Sequence, residues 1–424
     1  MENDIGYSTS RWQKIISFLF VIFPILDIYS IGIKGIGVGS IILCFAIVGI
    51  SIRFLSTKHS FRWNLYYVFF LYGLCISLIT LMIHSEFSAT AVIIRLTYFI
   101  FYTLLIFLPS DNDFNAYFAA QVYLRIGMLV GGFLVLQYIL FLGVGYNLFG
   151  LIPGVPLNYT IEDYSKWVDS YNSMYSVMFR PASLFTEPAS LAQYLSPLLI
   201  LVLFTKIGEC KKLLKAFFIT VVMILSTSTN GLILAAFTWM TYLTYKNIER
   251  LRSWKLPIIF VLSFIVAITS IMLILFTDNP VSDYAAYKFR GLAEMDVSSS
   301  SYLRIMRGFD IYGQLNIFEK IFGIGMGTYK SYYESGALTV FDGETEYMSS
   351  LSYLFVSVGI IGVLLYISSL LYNVYRKGIT ACVLASSIIL SFISSSLFNT
   401  PVYVLSYLFL LHMNRKSKIK KTSL

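Results

Sequence analysis

Long apolar runs separated by short polar segments fill this chain from end to end. A membrane-spanning helix needs about 20 mostly apolar residues. Runs near that length recur at 15–32, 38–55, 64–83, 91–108, 121–144, 190–206, 214–229, 231–245, 257–276, 347–375, 379–395 and 397–413. The pattern predicts an all-α fold, a polytopic transmembrane helix bundle of about twelve spans (range 10–12), with residues 1–424 forming a single integral membrane domain. The pair 214–229 and 231–245 is short for two crossings, and a re-entrant hairpin is the alternative there. Two long segments interrupt the rhythm, 145–189 and 277–346. Loops beyond about 12 to 15 residues are usually functional or disordered. These two carry aromatics, prolines and apolar residues, so they are expected to fold over the helices as a lid or cavity wall.

Composition sharpens this reading. Only 12% of the residues are Asp, Glu, Lys or Arg, where a soluble globular protein has about 25%, and 57% are hydrophobic. Soluble enzymes, nucleic-acid modules, disulfide scaffolds and disordered proteins are excluded as classes. The net charge of +9 has its explanation in membrane insertion, because Lys and Arg accumulate on the cytoplasmic side. With both termini inside, 20 of the 31 basic residues fall on inner segments, and 145–189 and 277–346 become extracytoplasmic loops. Cys44, Cys75 and Cys382 lie in apolar runs and Cys210 in a Lys-rich inner loop, so no disulfide is expected. The apolar run after Arg11 and Lys14 lacks a small-residue cleavage site and reads as a first helix.

Nine basic residues remain outside against the insertion bias: Lys34, Lys166, Arg180, Lys288, Arg290, Arg304, Arg307, Lys320 and Lys330. Solvation of folded loops accounts for the lysines. Arg180, Arg304 and Arg307 stand beside apolar or aromatic residues close to the membrane surface, and a guanidinium fork suits phosphate oxygens. Arg180-Pro181 and Glu187-Pro188 form a stiff turn at the end of the first long loop, where a salt bridge between Arg180 and Glu187 would pin the loop. In the second loop, Ser298 to Ser301 are expected to cap one helix running to about Phe322, with Ile305, Phe309 and Tyr312 on one face and Arg304, Arg307 and Asp310 on another. Gly323-Ile324-Gly325-Met326-Gly327 allows close backbone approach, but lacks the preceding strand of a dinucleotide site.

Carboxylates gather before the run at 347: Asp342, Glu344 and Glu346. The first two read as an acidic helix start. Glu346, nearest the apolar run, is the candidate general base, and Glu187 is the competing carboxylate. Within the spans, Asp27, Arg95 and Arg125 are costly residues. Arg95 lies about one turn below the outer surface, where it can join the same cavity, whereas Arg125 can snorkel inward. Asp111-Asn112-Asp113 has the look of a metal-binding pair in an inner loop without a surrounding nucleotide fold, and His59, His84 and His412 are scattered, so no metal site is expected.

Taken together, several pieces resemble the O-antigen polymerase (Wzy) family, which is related to the O-antigen ligases. They are Arg180 to Ala192, the Ser-Thr-Ser-Thr-Asn-Gly stretch at 226–231, Arg304 and Arg307 ahead of Gly323-x-Gly325-x-Gly327-x-Tyr329, and Glu346-Tyr347 before Gly359-x-x-Gly362. The resemblance covers about residues 120 to 410 and implies a membrane glycosyltransferase without metal or other cofactor. Such an enzyme joins polyprenyl-diphosphate-linked oligosaccharide repeat units on the outer face of a bacterial inner membrane, building O-antigen or capsule. It implies an undecaprenyl-diphosphate-linked donor and acceptor, membrane lipid and a chain-length regulator protein as partners, with no nucleic acid. Arg180, Arg304 and Arg307 map onto the family's diphosphate-contacting arginines. Two departures stand out. No glycine stands eleven residues beyond these arginines, where Leu191, Leu315 and Phe318 are found, and a frequent Ser-Arg is Thr229-Asn230 here. Ligases usually carry His where this chain has Glu346, which favours a polymerase. A ligase and a lipid-linked oligosaccharide flippase are the alternatives.

Overall fold

The computed structural model describes residues 9–32, 36–56, 63–84, 88–158, 168, 179–250, 304–336, 338, 348–375 and 377–413. The described residues form α1 (Arg11–Leu26), α2 (Val38–Ser56), α3 (Tyr66–Ile83), α4 (Ala89–Phe107), α5 (Ala116–Val144), α6 (Pro188–Phe204), α7 (Lys212–Leu225) and α8 (Thr229–Arg250). They continue with α9 (Arg307–Gln314), α10 (Ile317–Phe322), α11 (Tyr329–Glu334), α12 (Ser350–Val374), α13 (Ile379–Ser394) and α14 (Pro401–His412). Among the described residues the only β-type pairing is two isolated bridges, Tyr29 with Leu157 and Ser30 with Gly37. Eleven of the twelve apolar runs coincide with helices, and the run at 257–276 lies outside the described residues.

Among the described residues five helices, α2, α3, α4, α5 and α12, are long and apolar enough to cross a membrane, and α6, α13 and α14 are shorter apolar helices. The short ones occupy the middle. Leu198 to Val202 of α6 and Tyr403 to Leu405 of α14 are fully buried, as expected of a helix that is hydrophobic all round. Around them the longer helices turn large side chains outward, among them Phe45, Met82, Leu129 and Leu142. In water such a surface is unfavourable by about 25 cal/mol per Å2 of apolar area; against lipid it is not. The molecule therefore has the character of a membrane protein. Helix α7, at 14 residues, is about 21 Å long at 1.5 Å per residue, short of a 30 Å hydrocarbon core.

Hydrogen bonds between segments distant in sequence tie the helices together at both ends of the bundle. At one end Trp12 Nε1 donates to Asp113 Oδ1 (3.0 Å), Asn64 Nδ2 donates to Asn373 Oδ1 (2.8 Å), and Lys377 Nζ donates to the Leu411 carbonyl (2.7 Å). At the other end, the Ser30 N–H donates to the Pro156 carbonyl at 2.8 Å and the Ser349 N–H to that of Arg304 at 2.7 Å.

Several elements depart from the hydropathy pattern for identifiable reasons. Helix α1 was expected to reach residue 32 but ends at Leu26, because the buried Asp27 carboxylate accepts from the Ser40 N–H (2.8 Å) and hydroxyl (2.7 Å) and so locks the end of α1 to the start of α2. The single helix expected up to Phe322 is broken after Gln314; Asn316 and Glu319 form a capping box that starts α10 afresh. Residues 298–303 lie outside the described residues. As expected, Phe309 and Tyr312 share a face, and it packs on Phe355 of α12 with ring centroids 5.9 and 5.4 Å away.

The largest departure is in α12. Gly359 (φ 63°, ψ −172°) interrupts the helix, and the glycine segment of the second long loop fills the break. The N–H groups of Ile324 and Gly325 donate to the carbonyls of Val356 (3.0 Å) and Ser357 (2.9 Å), and the Met326 N–H donates to Ser77 Oγ (2.8 Å). Irregular backbone at this depth is tolerated because protein satisfies it. Gly323, Gly325 and Gly327 all have φ between 82 and 89°, and any Cβ there would strike the backbone of α12, α3 or α4. The glycines are thus a packing device joining the second loop to three helices. Replacing Gly323 or Gly359 by Ala is expected to destabilise the protein by about 2 to 4 kcal/mol, from left-handed strain plus overpacking. The thermal midpoint in detergent measures it; a wild-type midpoint in both variants would contradict the wedge.

Candidate functional site

The end of the first long loop is built by a turn with its own fixed geometry. Ser183 sits at φ 53°, its N–H donates to Gln137 Oε1 (3.0 Å) and its hydroxyl to the Val130 carbonyl (2.7 Å), so α5 holds the turn. Glu187 is the extended N-cap residue of α6, with Pro188 in the first helical turn where a missing N–H costs nothing. Arg180 and Glu187 leave this turn toward different partners.

Arg180 is buried, 9% exposed. Its Nε donates to Thr227 Oγ1 (3.1 Å) and Nη2 approaches the Thr227 carbonyl (3.4 Å), in the tight turn between α7 and α8. Glu187 instead pairs with Arg304 of the second long loop, 3.4 Å from Oε2 to Nη2. This corrects the expected Arg180–Glu187 pair. The carboxylate joins the two loops to each other, and the first arginine joins the α7–α8 turn. With half of the Glu187 side chain exposed, the pair itself contributes about 0 to 1 kcal/mol.

The second loop is tied to the start of α12 through the Arg304 carbonyl, and one turn further on Arg307 opens α9. Arg307 is 3% exposed, because the absence of a side chain at Gly308 lets α9 lie directly on Ser352 and Met348. Tyr329 belongs to the same small core as Met348. Burial pushes the Tyr329 phenol up, partly offset by the Arg307 charge nearby.

A hydrogen-bonded hub gathers the helix ends beneath these arginines. The Ser350 N–H donates to the Ser395 carbonyl (2.9 Å), and the Leu397 and Phe398 N–H groups donate to Ser350 Oγ (2.6 and 2.8 Å). Gln193 Nε2 donates to Ser395 Oγ at 2.7 Å, and Ser394 Oγ to Asn230 Oδ1 at 2.8 Å. The N-terminal ends of α6, α8, α12 and α14 therefore converge at one end of the bundle. Each helix N-terminus carries roughly half a positive charge, so this end attracts anions beyond what the arginines supply. Sequence reasoning singled out the 226–231 stretch but missed Gln193, Ser350 and Ser395, which are ordinary polar residues inside apolar runs with no local signal.

The remaining expected positions fall as follows. Arg95 lies on α4 with its stem against Gly327, within electrostatic reach of Tyr98, as is Asp27. Glu346, with Asp342 and Glu344, lies outside the described residues, as do Lys34, Lys166, Lys288 and Arg290. Lys320 donates to the Gly313 carbonyl (2.8 Å) and Lys330 pairs with Glu334 on the surface (3.6 Å), in keeping with solvation. Arg125 is exposed on α5. The Asp111-Asn112-Asp113 loop sits at the opposite end, where Asp111 meets His412 Nδ1 (2.8 Å) and Asp113 lies 3.5 Å from Arg53. It pins α1, α2 and α14. Among the described residues no group of three His, Cys, Asp or Glu side chains is placed to hold a metal ion.

No family model matches this chain, and neither a curated protein nor a solved structure shows detectable similarity to it.

Proposed function

We propose that this chain is a membrane glycosyltransferase of the O-antigen polymerase type, acting at the outer face of a bacterial cytoplasmic membrane with both termini in the cytoplasm, about twelve spans, and 145–189 and 277–346 outside. One observation carries the reading. At the end of the bundle where four helix N-termini converge, Arg180 holds the α7–α8 turn, and Glu187, seven residues on, pairs with Arg304 of the second long loop. A concentration of fixed positive charge beside a lipid-facing surface suits a substrate that is both a diphosphate and a lipid.

In this reading the donor is an oligosaccharide chain on a polyprenyl diphosphate. An acceptor hydroxyl attacks the anomeric carbon, the bond from that carbon to the diphosphate oxygen breaks, and the leaving diphosphate keeps the electron pair. Arg180, Arg304 and Arg307 stabilise its charge, with Arg95 as a further cation, and Glu346 accepts the hydroxyl proton. No nucleotide or metal takes part. The chain-length regulator protein belongs to the same proposal.

Deleting the gene and resolving the surface glycan on a gel tests the assignment. Loss of long chains with a single repeat unit retained is the polymerase result. Loss of every unit on the acceptor would assign a ligase, and intracellular accumulation of lipid-linked units a flippase. Topology is tested separately: cysteines placed at Ser170 and Ser300 should react with an impermeant thiol reagent added to intact spheroplasts. Protection at either position would reverse the orientation and move the proposed site to the wrong face.

A further inference from the structure

Directly beneath the Gln193–Ser395 contact, a small cavity lies between α6, α13 and α14. Gln193, Ser196, Pro197, Ser387, Ser391 and Ser406 line it, with aliphatic side chains closing the rest. No lining residue carries a charge, so an ion has no counter-charge there.

The polar groups facing this space are left with unmet hydrogen-bonding capacity. Pro197 lies inside α6 and has no N–H, so the Gln193 carbonyl four residues earlier loses its helical donor. Ser196 and Ser387 hydroxyls are 3.0 Å apart, and whichever donates to the other leaves one hydroxyl proton unused. Ser391 is 4% exposed, and its hydroxyl makes no hydrogen bond to a described residue, although its carbonyl accepts from Ser395 Oγ (2.7 Å). Ser406 Oγ donates to the Val402 carbonyl (2.8 Å) and keeps its lone pairs. Inside a bundle whose surface faces lipid, leaving such groups unmet is strongly disfavoured.

We propose that this cavity is a buried water site. It has space for about one water-sized sphere, and a buried water makes about three hydrogen bonds, within a range of two to four. The groups present match that valence. The water donates to the Gln193 carbonyl and to Ser406 Oγ, and accepts from Ser391 and from the serine of the 196–387 pair that has a proton to spare. Because Gln193 and Ser391 also hold Ser395, the water fixes the proline-broken turn of α6 against the end of α13 and sets the floor of the hub. This proposal is independent of the glycosyltransferase reading.

The sign of two substitutions tests it in the full-length protein in detergent. If water is bound, Ser391→Ala removes one of its donors and should lower the thermal midpoint by about 1 to 3 °C. Ser391→Val, which fills the space but cannot bond the Gln193 carbonyl, should lower it at least as much. If the cavity is dry, Ser391→Ala deletes an unsatisfied buried hydroxyl and Ser391→Val fills a void, so both midpoints should stay or rise, and that result overturns the proposal. High-resolution cryo-electron microscopy of the wild-type protein gives a readout independent of variant folding. Spherical density within hydrogen-bond distance of Ser391 Oγ and the Gln193 carbonyl is expected, and an empty cavity in a map that resolves other ordered waters would equally overturn it.

Discussion

Replacing Arg180 by Ala is expected to abolish long surface polymer at matched protein levels, and Arg180→Lys to restore only a fraction of it. The guanidinium is held in place before any substrate arrives, because Nε and Nη2 both address Thr227. A preorganised donor of this kind is typically worth about 10²- to 10³-fold in rate. Lysine keeps the charge but has no planar fork, so it cannot hold the turn and present a second edge to a phosphate at once. The same contacts make Arg180 part of the fold, since they pin the α7–α8 turn. Thr227→Val separates the two roles: it loses the side-chain bond and spares the charge, so a stability change comparable to that of Arg180→Ala with polymer retained would mark a substrate role for the arginine. Arg304→Ala and Arg307→Ala should shorten polymer as well. Wild-type chain length in all three Ala variants would remove the diphosphate site from the proposal.

How far the sequence foretells this arrangement depends on which physical quantity encodes it. Hydropathy over about 20 residues reports burial in lipid, and the helices follow the apolar runs wherever they are described. It carries no information on where a helix yields to a tertiary hydrogen bond. Asp27 ends α1 through Ser40, which lies in the next apolar run, and Gly359 breaks α12 because a loop segment more than thirty residues earlier supplies replacement donors. A glycine in a spanning segment is common enough that nothing local marks the break. The candidate site shows the same limit. Residue type pointed to Arg180, Glu187, Arg304 and Arg307, since an arginine or carboxylate at a membrane face needs a reason. The pairing was misread, because Arg180 and Glu187 are neighbours in sequence while their partners Thr227 and Arg304 are 47 and 117 residues away. Ser395 and Gln193 were invisible for a related reason: a serine or glutamine in an apolar run reads as tolerated polarity until its partner is known.

Glu346→Gln is expected to lower turnover by about 10²- to 10⁴-fold while the purified protein still binds lipid-linked donor. The substitution keeps the size and most hydrogen bonding of the side chain but cannot accept a proton. Glu187 makes the comparison decisive. Its carboxylate sits 3.4 Å from Arg304 and ties the second loop to the start of α6, so under the proposed function its effect on donor binding is expected to run through Arg304 rather than through Arg180. Glu187→Gln removes the charge that orients Arg304, and is therefore expected to raise KM for donor more than it lowers kcat. Arg304→Ala should mimic it, and the double variant should be no worse than Arg304→Ala alone. A Glu346 variant with wild-type turnover beside a Glu187 variant that binds donor normally but does not turn over would reverse the two roles, making Glu187 the proton acceptor and leaving Arg304 as the group that holds it in place.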